Sequence, residues 1–282
     1  MEQSESVTRF SPADRKLERF PIAGREPGFG RVTPLPDGRF VVTRRIAGRE
    51  RLVAMAPDGV SKPMIPFTQD ETTGPMTMLG LDRFAFLIGS GMNRSVAIAT
   101  LDGRVVQRIE SLKDTQALVG APDGKTLHYV TGGNVWSVPV VNGAVGEPRK
   151  LRPGNSVAVD PNGQYLVIET VEQDANRLIR FNLPGGPEQS IPFESDLRPA
   201  LLPHALGPRA IAPDGRIAVV VASKEAWNYS MAIVDPRTGR VEPIPLSPDS
   251  AVVSPNWDES GRLVFDEFST RSSVWRFRPV KR

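Results

Sequence analysis

One short turn recurs along this chain, and its spacing limits the folds open to it. Pro36-Asp37-Gly38, Pro122-Asp123-Gly124, Pro161-Asn162-Gly163 and Pro213-Asp214-Gly215 each lead into an alternating apolar strand. Two looser copies fit the series, Gly80-Leu81-Asp82 and residues 254–261 around Asp258. With Asp37, Asp82, Asp123, Asn162, Asp214 and Asp258 as markers, the gaps are 45, 41, 39, 52 and 44 residues. In the full copies Pro fixes φ, Asp or Asn bonds to its own backbone, and Gly takes the positive-φ position. Such turns join antiparallel strands. A period of roughly 40 to 45 residues is that of a four-stranded propeller blade.

Each period carries the rest of a blade. Short apolar strands precede the turn, as at residues 156–159 and 210–212. Third strands are predicted at residues 51–54, 96–99, 135–138, 178–181, 231–234 and 274–277, and most are followed by a second turn and a weak fourth strand. No window shows sustained helical periodicity with caps. The fold class expected is therefore all-β: a six-bladed propeller of four-stranded antiparallel blades. The sixth blade lacks a fourth strand. Residues 16–22 alternate like an edge strand and have no other blade to join, so they are predicted to close the ring through the last blade. Closure removes the open edges that invite aggregation. Residues 1–14 read as a flexible polar arm, and residues 15–282 as a single propeller domain, long enough to bury its own core.

Charge narrows the partners. The 35 basic and 32 acidic residues leave a net charge of +3, with no clustered basic stripe in the body of the chain, so nucleic acid is not expected. The basic residues at 276–282 read as a solvated terminus. There is no cysteine, which excludes disulfides and thiolate chemistry. The first residues are polar, and no apolar stretch approaches the ~20 residues needed to span a bilayer. No membrane insertion is expected, and a monomer is. As written the chain reads as cytoplasmic. A chain trimmed of a leader or anchor, from the periplasm or the cell exterior, would carry the same residues.

The pattern of apolar strand, Ala-Pro-Asp-Gly-Lys/Arg and alternating strand, followed in the first copy by Val135-Trp136-Ser137-Val138, is clearest at residues 121–138 and 211–221. It resembles the PD40, or TolB-like, β-propeller repeat, over residues 16–282. The resemblance implies a fold and several kinds of job. In that family the repeats form periplasmic partner-binding propellers, sensor domains fused to bacterial kinases or transcription regulators, and substrate-gating propellers of some peptidases.

No Gly-x-Ser-x-Gly elbow, Ser-x-x-Lys, His-Glu-x-x-His or phosphate-binding glycine loop is present. The Pro-Asp-Gly aspartates read as turn formers, on the face opposite the one propellers usually bind with. Binding residues are expected on the loops between second and third strands and on the approach loop 69–73. The set is Asp70, Glu71, Arg94, Glu172, Asp174, Trp227, Tyr229, Glu267 and Arg271, with Trp227 and Tyr229 as aromatic anchors of the kind that dominate interfaces. His128, between Leu127 and Tyr129, reads as a packed strand residue. His204 joins the binding set. It lies in the longest repeat, in an insertion predicted between the fourth strand of blade four and the first of blade five. A single His is a poor metal site. These residues point to a non-catalytic propeller that recognises a protein or peptide through its loop face, with no cofactor. Two alternatives stay open: a propeller-class hydrolase or lyase using His204 and acids, or a metal ion, at the central channel; and a sensor domain of a bacterial signalling protein.

Overall fold

The computed structural model describes residues 2–22, 31–66, 68–91, 93–141, 144–172, 175–224, 226 and 228–271. The chain opens with β1 (Glu2–Ser11) and β2 (Lys16–Pro21). Blade one is β3 (Thr33–Pro34), β4 (Phe40–Ile46), β5 (Arg49–Met55) and β6 (Ser61–Pro63). Blade two is β7 (Thr72–Leu79), β8 (Arg83–Ile88), β9 (Ser95–Thr100) and β10 (Val105–Lys113). Blade three is β11 (Ala117–Gly120), β12 (Thr126–Thr131), β13 (Asn134–Val141), the short β14 (Ala144–Val145) and β15 (Arg149–Pro153). Blade four is β16 (Ser156–Val159), β17 (Tyr165–Glu172), β18 (Ala175–Asn182) and β19 (Glu188–Ile191). Blade five is β20 (Arg198–Pro199), β21 (Ile217–Ala222), β22 (Ser230–Val234) and β23 (Val241–Pro243). Blade six begins with β24 (Ser250–Trp257) and β25 (Leu263–Arg271). No α-helix occurs among the described residues.

The turns behave as their residues require. The Asp37, Asp123 and Asp214 carboxylates each accept the backbone N–H two residues on, at 3.1, 2.9 and 3.1 Å. Gly124 takes φ 69°, where a side chain would be strained. Strand residues then alternate between the two faces of each blade. Among the described residues, an apolar cluster fills each gap between neighbouring blades. Phe84 and Phe86 meet Leu52 and Met76 between blades one and two. Val167 and Leu178 meet Val219 between blades four and five. Val7, Val42 and Val264 close the circle between blades six and one. Each fully buried side chain of this size is worth about 1.5–3 kcal/mol, so the ring is held by its gaps.

Closure differs in detail from the sequence expectation. The last sheet runs β2-β1-β25-β24. Residues 16–21 do join the last blade, as its outermost strand. Between them and β25 lies β1, from the residues read as a flexible arm. It pairs antiparallel with β25 from Glu2↔Arg271 to Phe10↔Leu263, and with β2 from Ser6↔Pro21 to Ser11↔Lys16. Val7 and Phe10 are 0% and 2% exposed. The polar positions are stabilised by partners the local sequence does not show: the Thr8 hydroxyl donates to Glu267 at 2.7 Å. The third strand predicted at residues 274–277 lies outside the described residues, and its place in the sheet is taken by β1.

A second difference concerns blade five. Its innermost strand starts at β20, pairing Arg198 with Ala222 and Pro199 with Val221. The chain then loops over residues 201–209 and returns to pair Ile211 with Ile217. The insertion therefore interrupts the innermost strand and does not precede it. The prolines at 199, 203 and 208 explain why: each lacks the N–H a continuous ladder needs.

Candidate functional site

The inner strands of all six blades line a central channel, and its two ends differ. At its waist stand Thr33, Met76, Leu118, Val157, Leu206 and Ser254. Three inner strands bulge there. The β7 ladder shifts register between Thr73 and Thr77, the β24 ladder between Val253 and Asn256, and blade five contributes the 201–209 loop. Together they narrow the channel to a neck with free space of about 10 Å³, room for roughly one water.

Hydrogen bonds between blades hold the neck. Thr33 Oγ1 donates to Met76 O at 3.1 Å, and Thr77 Oγ1 accepts Gly120 N at 2.9 Å. Ser156 Oγ accepts Leu206 N at 2.9 Å and donates to Leu206 O at 3.2 Å. Asn256, fully buried, joins three blades: its Nδ2 donates to Val32 O at 2.9 Å and its Oδ1 accepts Arg209 N at 2.9 Å. A Cβ on Gly207 would lie 2.2 Å from Pro255 O, so this close approach requires glycine. Trp257 Nε1 donates to Ala210 O at 3.0 Å.

Below the neck, on the Pro-Asp-Gly side, the channel widens into a funnel of about 350 Å³. Every blade contributes. Pro36, Leu81, Pro122, Pro161, Pro213 and Trp257 stand around it. Leu81 is 88% exposed, the most exposed large apolar side chain among the described residues. The charges here are largely spoken for. Asp160 accepts the N–H groups of Asn162 and Tyr165 at 3.1 and 2.9 Å. Arg209 pairs with Glu259 at 2.8 Å, and Arg262 with Asp258 at 2.9 Å. Around the rim Asp37 pairs with Arg39 at 2.6 Å and Asp214 with Arg216 at 2.8 Å. Such exposed pairs add little stability, but they leave the funnel apolar at its centre and nearly neutral at its edge.

The residues singled out on the loop face have other engagements. Arg94 bonds to Glu50 at 2.6 Å and lies 3.8 Å from Glu71. Asp70 pairs with Arg108. Tyr229 packs against Ala200, Ala205 and Val220 on the rim of blade five. Glu267 is 4% exposed and accepts Thr8, Arg19 and Ser250, the last at 2.6 Å. Burial raises its pKa, but these hydrogen bonds outweigh that and hold the carboxyl below its ordinary value. It ties β1, β2, β24 and β25 together, a role in ring closure. Trp227, Asp174 and the side chains of Glu172 and Arg271 lie outside the described residues.

His204 lines the neck with Arg31. Burial, then the Arg31 charge, lowers its pKa to about 4. His128 is packed in β12, 2% exposed, and burial lowers it to about 4 as well, against a small opposing pull from Asp123. Among the described residues no group of three or more His, Asp or Glu could hold a metal ion.

The architecture is a six-bladed β-propeller, similar in fold to TolB structures. No protein-family model and no curated protein matches the sequence. Solved structures do match in fold. A TolB candidate from Agrobacterium tumefaciens aligns with TM-score 0.71 at 14% identity, over 96% of this chain and 100% of that one. TolB from Acinetobacter baumannii aligns with TM-score 0.53 at 15% identity, over 95% of this chain and 63% of that one, so this chain spans less than two thirds of its length. A gluconolactonase from Xanthomonas campestris aligns with TM-score 0.56 at 13% identity, over 95% of both chains. At such identities the likeness is one of fold.

Sequence reasoning missed the funnel. In the sequence its prolines and Leu81 are turn formers, each visible only within its own repeat. Ring closure alone brings them to one mouth. The Pro-Asp-Gly turns are also short, so they leave the ends of the inner strands uncovered, and the concavity opens on that side.

Proposed function

We propose that this propeller is a binding module that seats a segment of a protein or peptide partner in the funnel on its Pro-Asp-Gly face. One observation carries the reading: an apolar concavity to which all six blades contribute, rimmed by self-neutralised ion pairs and marked by the 88% exposed Leu81. Ligand sites are concave and mostly apolar, with few polar groups. A proline-walled mouth loses little entropy on binding, since proline side chains have almost none to lose. The rigid neck sets the depth to which a segment enters. The fold likeness to TolB structures is consistent with a partner-binding role, and the likeness to a gluconolactonase shows that the same fold serves hydrolases.

The test is a peptide selection followed by a substitution. Peptides selected on the wild-type protein are expected to bind Leu81→Asp at least 10-fold more weakly, since a carboxylate would be desolvated in the contact. They are expected to bind Arg94→Ala unchanged. Binding lost in Arg94→Ala and kept in Leu81→Asp would move the site to the loop face. Lactone or ester turnover by the wild-type protein that is lost in His204→Ala would replace the binding reading with a hydrolytic one.

A further inference from the structure

The neck contains a charge that no group among the described residues neutralises. Arg31 enters the channel wall just before β3. Its Nη1 is buried and has no hydrogen-bond partner, and no ion pair to Arg31 occurs among the described residues. Its stem packs on the β7 bulge: a Cβ on Gly74 would lie 3.4 Å from Arg31 Cβ and 3.6 Å from its Cδ. The remaining wall is apolar or uncharged, with Pro75, Pro203, Leu206 and Ser254 around it and His204 beside it. His204 is neutral at pH 7, because burial and Arg31 hold its pKa at about 4. Burial also pulls the Arg31 guanidinium down, to about 10, which leaves it fully charged at pH 7. A buried charge without a counter-charge is costly. Guanidinium groups match carboxylates with a planar fork of donors.

We infer that Arg31 is the anchor of an anion subsite in the channel neck, which takes a carboxylate group. The free space admits one oxygen-sized atom, so a carboxylate enters tip first, with the rest of its carrier outside the neck. The carrier is a chain terminus, an acidic side chain of a bound segment, or a free small carboxylate. The inference extends the partner-binding reading, but it does not require a partner to be tested.

The experiment uses the full chain and four probes in a buffer of low anion content: sodium acetate, sodium chloride, the peptide acetyl-Pro-Leu-Pro-Leu as free acid, and its amide with the last Leu replaced by Glu. Acetate at about ten times its Kd is expected to raise the wild-type melting temperature by roughly 2–4 °C. Arg31→Met is expected to lose that response. In the absence of anion it should melt about 2–4 °C above the wild type, because the uncompensated charge is gone. Arg31→Lys, which keeps the charge, should keep a weaker response, and it serves if Arg31→Met does not fold. Preference for the free-acid peptide assigns the carrier as a chain terminus. Preference for the glutamate peptide assigns it as a side chain, and acetate alone as a free carboxylate. Failure of both peptides beside a positive acetate response weakens the partner reading and leaves the subsite standing. An acetate response equal in wild type and Arg31→Met overturns the subsite. Chloride binding as strong as acetate overturns its assignment to a carboxylate.

Discussion

Deletion of residues 2–15 is expected to abolish the folded monomer. It removes β1, which pairs with nine residues of β25 on one side and with six of β2 on the other. Val7 and Phe10 leave the clusters between blades six and one and between blades five and six, at about 1.5–3 kcal/mol each. The lost ladder hydrogen bonds add roughly 0.5–1.5 kcal/mol apiece, and Glu267 loses its Thr8 donor. The total is comparable with the whole stability of a domain, about 5–15 kcal/mol. It also exposes β25 as an edge open to intermolecular pairing. Far-ultraviolet circular dichroism melts and size-exclusion chromatography should show no cooperative transition and aggregated material. A synthetic peptide of residues 1–22 should restore a monomer when added during refolding. Phe10→Ala is the milder version, at about 3–5 kcal/mol. A truncated protein that stays monomeric and melts within a few degrees of wild type would show that closure does not depend on β1.

Glu169→Gln is expected to stabilise the protein strongly at neutral pH and not at all near pH 4.5. Glu169 sits in β17, 0% exposed, and neither carboxyl oxygen has a hydrogen-bond partner among the described residues. Burial raises its pKa from 4.5 to about 8. In the unfolded chain the group ionises above pH 4.5. In the folded protein it holds its proton until about pH 8. Stability is therefore lost as pH rises through that window, by about 1.4 kcal/mol per unit. The glutamine variant escapes this, so its advantage at pH 7 is about 3 kcal/mol. The histidines act in the opposite direction. His128 and His204 have folded pKa values of about 4 against 6.5, so the unfolded chain takes up their protons first as pH falls below 6.5. Two histidines against one glutamate place the wild-type optimum near pH 6.5. In the variant the decline above pH 6.5 disappears. Urea midpoints from pH 4.5 to 8 check both curves. A variant curve parallel to wild type would mean that Glu169 is ionised and partnered in the folded state.

Much of the fold was legible because each turn is a local device. Pro, Asp and Gly act within four residues, so their repetition reveals blades without any tertiary knowledge. β1 was illegible for the opposite reason. Glu2 to Ser6 looks like a solvated arm, and the strand exists because β25 and β2 supply its partners from the far end of the chain and from across a turn. The broken inner strand of blade five was hidden because Arg198 and Pro199 form too short a strand to announce itself. Tyr229 was expected at a surface contact, and its ring covers Ala200 and Ala205. Glu267 was expected in a binding set, and it is the acceptor that three strands donate to. Arg31 carried no signal at all: one arginine after a glycine-rich loop has no pattern, and its isolation becomes visible in the channel wall.

Partner segments that enter through the Pro-Asp-Gly face are expected to protect the backbone around the funnel, and hydrogen exchange of the protein alone and with a selected peptide bound measures this. Slowed exchange is expected at Gly80, Leu81, Gly120, Ala121, Asp160, Arg209, Ile211 and Trp257 to Glu259, which line the funnel. No change is expected at residues 89–91 or in β22. Protection confined to residues 69–71, 89–91 and 228–230, with the funnel unchanged, would contradict entry through that face.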